Sequence, residues 1–409
     1  LSEYLARREY APLTGKRIIL GLTASSAIYK SIDLARSLIR LGAEIDVVMT
    51  SKSLKLIGSD LVEWAIGRKP YLEITGSIEH ITLSHKADAL VVAPATLKTL
   101  SKIAYGYTDE LLPLLATAML GLGKKVVVVP TMNIALYNSP QYRAVEEKLG
   151  EIGVHVIKPY IEEDRVKYPP LEDLVHCIDA IVNRGLDLAG LNILVTAGPT
   201  REYIDPVRVI TNPSSGYMGV LIAREAACRG ANVDLVHGPL AVKPPYMTSK
   251  YPVETTADMA KTVSRLTSSK KYDVAIYAGA PADFTVLSRS SSKIPTRETR
   301  ELTITLKPTL KVVKHVSRQN KPRVNIIFAA ETVQTPSELV EKARAKIIDY
   351  NADLAVANRV LPGIGFSSEY IDVCIVTREQ HTCYGVTRKE LIARIIVDKA
   401  LELLKQTKA

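Results

Sequence analysis

Three hydroxyls, Thr23, Ser25 and Ser26, stand where the apolar run KRIILGL gives way to a helix-like segment. Hydroxyls and free backbone N–H groups above a helix start can seat a phosphate without repeated glycines. The sequence has no GxxxxGK[ST] loop and no GxGxxG after its first strand, which excludes a P-loop and a dinucleotide fingerprint. Three further polar stretches border apolar runs: His80-Ile81-Thr82-Leu83 ahead of ADALVVAPAT, then Ala93-Pro94-Ala95-Thr96, then Pro130-Thr131-Met132-Asn133. At the carboxyl ends of neighbouring parallel strands, all three would converge on the crevice where such sheets bind ligands. His85, five residues beyond His80, shares a face with it on neither helix nor strand, so no metal pair is expected and no metal ligands are assigned.

The second half carries a different set. Residues 197–219, AGPTREYIDPVRVITNPSSGYMG, mix Gly, Pro, Asn, two Arg and two Ser in a loop ahead of a helix. Those donors suit a nucleotide phosphate and an acyl-phosphate intermediate. Lys342 and Lys346 are one helical turn apart, so both ammonium groups can face the same phosphates.

The elements that must position these residues repeat. Lys16–Thr23 reads as a buried strand, followed by a helix through Ile28, Leu34, Leu38 and Ile39 that ends at Gly42, and by a strand at Ile45–Met49. The same order returns with Leu191–Thr196, a helix over about Met218–Cys228, Gly230 and Val233–Val236. The helix exits, LGAEIDVV and RGANVDLV, are nearly one phrase. Two doubly wound, Rossmann-like α/β domains with mainly parallel sheets are expected, over 1–185 and 190–409, with a short joint at RGLDLAG. Strands are also expected at Leu90–Val92, Val126–Val129, Val274–Tyr277, Ile326–Ala329 and Leu354–Ala357. A hairpin at 371–386 then precedes a closing helix from Lys389.

Composition bounds the class. With 409 residues, 47% hydrophobic and 23% charged, the chain suits two or three soluble domains. No apolar run is long enough for a membrane span and the first residues lack a signal-peptide layout, so a cytoplasmic protein is expected. The net charge of +10 is scattered and not interleaved with aromatics. It fits an enzyme of phosphorylated anions better than a nucleic-acid binder. Four widely spaced cysteines, Cys177, Cys228, Cys374 and Cys383, suggest buried thiols and no disulfide framework.

GLTASSAIYKS, HITL, APAT and PTMNIALY resemble the histidine-containing flavoprotein decarboxylases that act on cysteine carboxylates. The first domain is thereby expected to be flavodoxin-like. The resemblance implies FMN held by Thr23–Ser26 (Thr23, Ser25, Ser26), by Thr50 and Ser51, and by Ala93, Pro94, Ala95 and Thr96. It implies His80 as the base beside the flavin and Asn133 as the grip on the substrate carboxylate. Family members carry a proton-donating cysteine in a flap after the last strand. Here the corresponding KPYIEEDRVKYPP has none, leaving Tyr160, Glu162, Glu163 and Tyr168 as candidates.

Residues 197–219 resemble the phosphopantothenate–cysteine ligase signature, with Tyr217 where family members commonly have lysine. The match continues through Ala278–Asp283, Lys293-Ile294, and Phe328-Ala329-Ala330-Glu331-Thr332. It implies a CTP site formed by Gly279, Asp283, Lys293, Lys307, Phe328, Lys342 and Lys346, with Asn212 on the activated acyl group, Arg208 near it and Lys293 closing over it. Asn358 is a further candidate for the same pocket, and the family's K-x-P-D turn reads Lys307-Pro308-Thr309-Leu310. The implied function lies in coenzyme A biosynthesis: ligation of cysteine to 4′-phosphopantothenate using CTP and Mg2+, then FMN-dependent decarboxylation. A homo-oligomer is implied as well, with trimeric first domains and dimeric second domains building a dodecamer. Two other readings stand beside it: a ligase with an inactive flavoprotein scaffold, supported by the missing flap cysteine, and a flavin prenyltransferase-like first domain, which leaves residues 190–409 unexplained.

Overall fold

The computed structural model describes residues 10–297, 301–316, 320–361 and 363–407. The chain divides into two compact units, one ending at Leu186 and the other beginning at Asp187.

In the first unit the strands are β1 (Arg17–Leu22), β2 (Glu44–Met49), β3 (Ala89–Ala95), β4 (Lys125–Pro130), β5 (Met132–Asn133), β6 (His155–Val156), β7 (Tyr160–Glu162) and β8 (Arg165–Lys167). Five form a sheet in the order β2-β1-β3-β4-β6 with every pairing parallel. β1, β3 and β4 are buried almost throughout, which is why they read as unbroken apolar runs rather than alternating ones. Because the strands are parallel, Thr23, Thr50, Thr96 and Thr131 all emerge at one edge of the sheet. Backbone bonds join those exits: Thr50 N donates to Leu22 O, and Thr131 N to Ala95 O, each at 3.1 Å. The strand order reverses between β1 and β3, so the crevice opens beside Thr23 and Thr96. β7 and β8 form an antiparallel hairpin whose second strand also pairs with β5, so the flap stretch is ordered against Asn133.

The second unit has β9 (Asn192–Ala197), β10 (Arg201–Tyr203), β11 (Val209–Thr211), β12 (Asn232–His237), β13 (Ser249–Pro252), β14 (Val274–Tyr277), β15 (Phe284–Val286), β16 (Leu306–Pro308), β17 (Val324–Glu331), β18 (Leu354–Arg359), β19 (Tyr370–Val376) and β20 (His381–Arg388). Eight of these form one sheet, β13-β12-β9-β14-β17-β18-β19-β20, parallel up to β18 and antiparallel beyond it. Helices 217–228 and 389–406 pack with one face and helices 256–269 and 336–350 with the other. Gly219 allows the first of these to sit close: a Cβ there would lie 2.6 Å from the Ala197 Cβ and 2.9 Å from the Thr196 carbonyl.

One expectation is overturned here. Cys374 on β19 and Cys383 on β20 form a disulfide, and none of the four cysteines is a free thiol. Wide spacing in sequence had argued against a bridge, but hairpin pairing sets these two residues opposite each other, with Cα atoms 4.0 Å apart.

Candidate functional site

In the first unit the phosphate-seat hydroxyls have distinct duties. Thr23 is buried; its Oγ1 donates to Pro94 O at 2.7 Å and accepts from Thr96 N at 3.2 Å. Its proton is committed, so Thr23 ties the β1 and β3 exits together rather than facing a ligand. Ser25 accepts from Ala27 N, keeping its own proton for an anion, while Ser26 and Ser51 are exposed. Thr50 is buried against Leu22 O, and the Ala93–Pro94 bond is cis. Ser31 Oγ donates to Ala93 O at 2.8 Å, fixing that loop from the helix side.

His80 is not at a strand end, as the sequence pattern suggests. It lies in the first turn of helix 79–86, which leads into β3. A four-residue motif is too short to show helical periodicity, and its neighbour Ile78 has a left-handed backbone (φ 48°) that begins the helix abruptly. Glu79 holds that turn: its carboxylate accepts from the Thr75 N–H at 2.9 Å and from the Thr75 hydroxyl, and these bonds hold its pKa below the usual carboxylate value. His80 Nδ1 is buried and has no hydrogen-bond partner among the described residues. A buried ring nitrogen left unpaired is costly, and a group supplied by a cofactor or substrate would relieve it. With the free protons of Ser25, Ser26 and Ser51 on the same crevice edge, these residues fit a phosphorylated cofactor. Asn133 is exposed and caps helix 134–137, its Oδ1 accepting from Ala135 N at 2.8 Å. That leaves Nδ2, a donor, at the outward end.

On the flap hairpin, Tyr160 Oη donates to Glu162 at 3.0 Å, and Lys167 pairs with Glu162 and Glu163 at 2.9 and 2.8 Å. Lys167 and Tyr160 hold the Glu162 pKa below normal, and the bond to Glu162 raises that of Tyr160. Tyr168 is fully buried, and burial pushes its pKa up.

The second unit has a cavity of about 500 Å³ at the β9/β14 switch point. Asn212, Gly279, Asp283, Phe328, Lys346 and Asn358 all line it. Asn212 Nδ2 donates to Ala280 O (3.3 Å) and Pro281 O (3.0 Å), joining the long loop to the β14 exit. Ser214 and Ser215 accept from Gly216 N and Tyr217 N at the start of helix 217–228, so both hydroxyls keep a proton for an anion beside the positive end of the helix dipole.

Lys293, Lys307 and Arg208 do not line the cavity. Lys293 and Lys307 are exposed, the latter on the β15–β16 ribbon. Arg208 spans Asp205 (2.7 Å) and the Ile294 carbonyl (3.2 Å), anchoring the segment that carries Lys293. Lys342 also lies outside the lining, but both it and Lys346 pair with Glu331, at 3.0 and 2.7 Å. The helical spacing does bring the two ammonium groups to one place.

Among the lining residues that the sequence did not single out are the polar side chains of Lys311, Lys389 and Tyr277. Lys311 pairs with Asp283 at 2.5 Å. Lys389 is buried, with Nζ donating to Gly365 O at 2.6 Å, and burial pushes its pKa down to about 8 against the opposing charge of Glu390. Tyr217 donates to Glu390 at 3.1 Å, so the residue in place of the usual lysine is held by the closing helix. No local pattern marks Lys311 or Lys389. Each reaches the site only through long-range packing.

Comparison with known proteins adds to this geometry. A flavoprotein family model matches residues 6–183, and the DNA/pantothenate metabolism flavoprotein C-terminal domain matches residues 188–404. The coenzyme A biosynthesis bifunctional protein CoaBC of Thermococcus kodakarensis is 37% identical over 389 residues, 94% of each chain. That of Escherichia coli K12 is 32% identical over 406 residues, 95% of this chain and 97% of the relative. A crystal structure of the C-terminal domain of a CoaBC protein is 31% identical with a TM-score of 0.44, covering 54% of this chain and 98% of that one. With such identity sustained along nearly the full length of both relatives, the chain belongs to the CoaBC family of coenzyme A biosynthesis bifunctional proteins.

Proposed function

We propose that this protein carries out two consecutive steps of coenzyme A biosynthesis, joining cysteine to 4′-phosphopantothenate and then removing the cysteine carboxylate. The observation that supports the pair best is their order on one chain: relatives named as bifunctional align over both units, and each unit has its own sheet-edge site.

In the ligase unit, the substrate carboxylate attacks the α-phosphorus of CTP and pyrophosphate leaves. The cysteine amine then attacks the acyl carbon, CMP departs, and the nitrogen gives up a proton. Lys346 and Lys311, with the start of helix 217–228, favour the phosphate charge, and Asn212 holds the loop that faces the acyl group. Among the described residues no group of three His, Cys, Asp or Glu side chains gathers to hold a metal. Mg2+ is therefore proposed to enter on the triphosphate.

In the decarboxylase unit, FMN would be held by Ser25, Ser26, Ser51 and the loop that Thr23 ties together. Bound there, it supplies the redox chemistry that lets the cysteine carboxylate leave as CO2. His80 Nδ1 holds or moves a proton at the reacting centre, and Asn133 Nδ2 donates to the carboxylate. Tyr160, on the flap hairpin with its hydroxyl directed to Glu162, is the residue proposed in place of the missing flap cysteine as proton donor. The homo-oligomer and the cytoplasmic location belong to the same proposal. No described helix is long and apolar enough to cross a membrane.

The deciding experiment follows CO2 release from 4′-phosphopantothenoylcysteine by wild type and by His80→Asn, with pyrophosphate release measured separately. Expected are CO2 from wild type, a loss of at least 100-fold or so in the variant, and unchanged pyrophosphate release. CO2 production that survives His80→Asn would remove His80 from the site. Folded, FMN-loaded protein that makes no CO2 would favour the scaffold reading.

A further inference from the structure

One wall of the cavity in the second unit is apolar, formed by Met259, Val312, Val313 and Ile327. Tyr277 stands among them as the last residue of β14, in register with Ile327 on β17 and packed on the same face of the sheet. The residue is 8% exposed, and its hydroxyl is buried with no hydrogen-bond partner among the described residues. Buried phenols ordinarily find a partner, because an unmet hydroxyl forfeits its bonds to water.

Several other polar groups of this cavity are engaged within the protein, while Ser214 and Ser215 keep their protons at the start of helix 217–228. Asn212 Nδ2 is held by two carbonyls, Lys346 by Glu331, Lys311 by Asp283 and Lys389 by Gly365 O. The cations mark where phosphates belong. An apolar wall with one hydroxyl matches the base of a nucleotide, a flat ring with a polar edge. Burial raises the Tyr277 pKa, so the phenol remains a donor at working pH.

We propose that the Tyr277 hydroxyl hydrogen-bonds the nucleobase of the nucleoside triphosphate and so helps determine which base is accepted. This rests on the ligase reading above. The donor complements the N3 acceptor of cytosine, whereas N3 of uracil is itself a donor.

The test uses full-length protein and Tyr277→Phe, which removes only the oxygen. In the pyrophosphate-release assay the KM for CTP should rise roughly 3- to 10-fold, the size of one neutral hydrogen bond. The KM values for 4′-phosphopantothenate and cysteine should not move, and the preference for CTP over UTP should shrink. Direct titration should show weaker binding of CMP to the variant and equal binding of ribose 5-phosphate. Thermal stability of the ligand-free variant should match or exceed wild type, since an unpaired donor has gone. Unchanged CTP and CMP affinity in a folded variant, or a change confined to 4′-phosphopantothenate, overturns the proposal. If wild type releases no pyrophosphate from CTP, the ligase reading fails, and the CMP and ribose 5-phosphate titrations still decide the role of Tyr277.

Discussion

Asp205 organises the long loop of the second unit. It is fully buried, accepts from Val207 N and Arg208 N at 2.8 Å each and from Ile294 N at 3.2 Å, and pairs with the Arg208 guanidinium. Burial alone would push its carboxyl up, but the N–H donors and Arg208 outweigh it and hold the pKa at about 2. A depressed carboxylate adds stability that is present above its unfolded value, near 3.9, and is lost as pH falls through the folded value. Urea denaturation between about pH 5 and pH 2 should therefore show wild type losing stability more steeply than Asp205→Asn. Parallel curves would mean that another carboxylate governs acid sensitivity. At this scale the sequence named many residues that line the second cavity, but it could not tell a ligand-facing group from one that holds the loop. Arg208 and Thr23 have the right chemistry for a ligand and spend it on neighbouring backbone. Tyr277 has an unremarkable place in an apolar strand, and its unpaired hydroxyl is visible only once β17 and helix 256–269 close around it.

Among elements, legibility followed length. The repeated exits LGAEIDVV and RGANVDLV became β2 and β12, and both first strands lie within a residue of where their apolar runs end. HITL failed because eight residues of helix give barely two turns of pattern. Helix 256–269 shows what short signals can do when they are chemical. Thr255 Oγ1 accepts from Asp258 N, and Asp258 accepts from Thr255 N, forming a reciprocal cap at 3.1 and 3.0 Å. The helix brings Met259 to the cavity wall, and Thr256 bonds the Thr200 hydroxyl at its start. Thr255→Ala should cost about 1 kcal/mol in chemical denaturation. A change below a few tenths of a kcal/mol would mean that tertiary packing alone fixes this helix.

At the scale of the molecule, each unit must be stable around its own sheet, and in the second a buried guanidinium serves that end. Arg229 is fully buried after helix 217–228, bidentate to Asp187 at 2.8 and 2.6 Å and bonded to Asp398 at 2.7 Å. It thus ties the unit's first residue to its last helix, a connection spanning 211 positions (398 − 187) that no motif reveals. Removing one member of such a network leaves charges unpaired, so Arg229→Met should lose about 3 kcal/mol in equilibrium unfolding. Near-neutral replacement would show that the apolar core carries the unit unaided.

The disulfide between β19 and β20 bears on how the large sheet meets other chains. β20 is its outermost strand, and behind it β19 buries Ile371, Val373 and Ile375. Edge strands that peel away offer their neighbour's unpaired backbone as a template for self-association. With Cys374 bonded to Cys383, that neighbour is uncovered only when the bridge is reduced or the whole sheet comes apart. Resistance to clumping along this border is thereby placed under the control of the surrounding thiol potential.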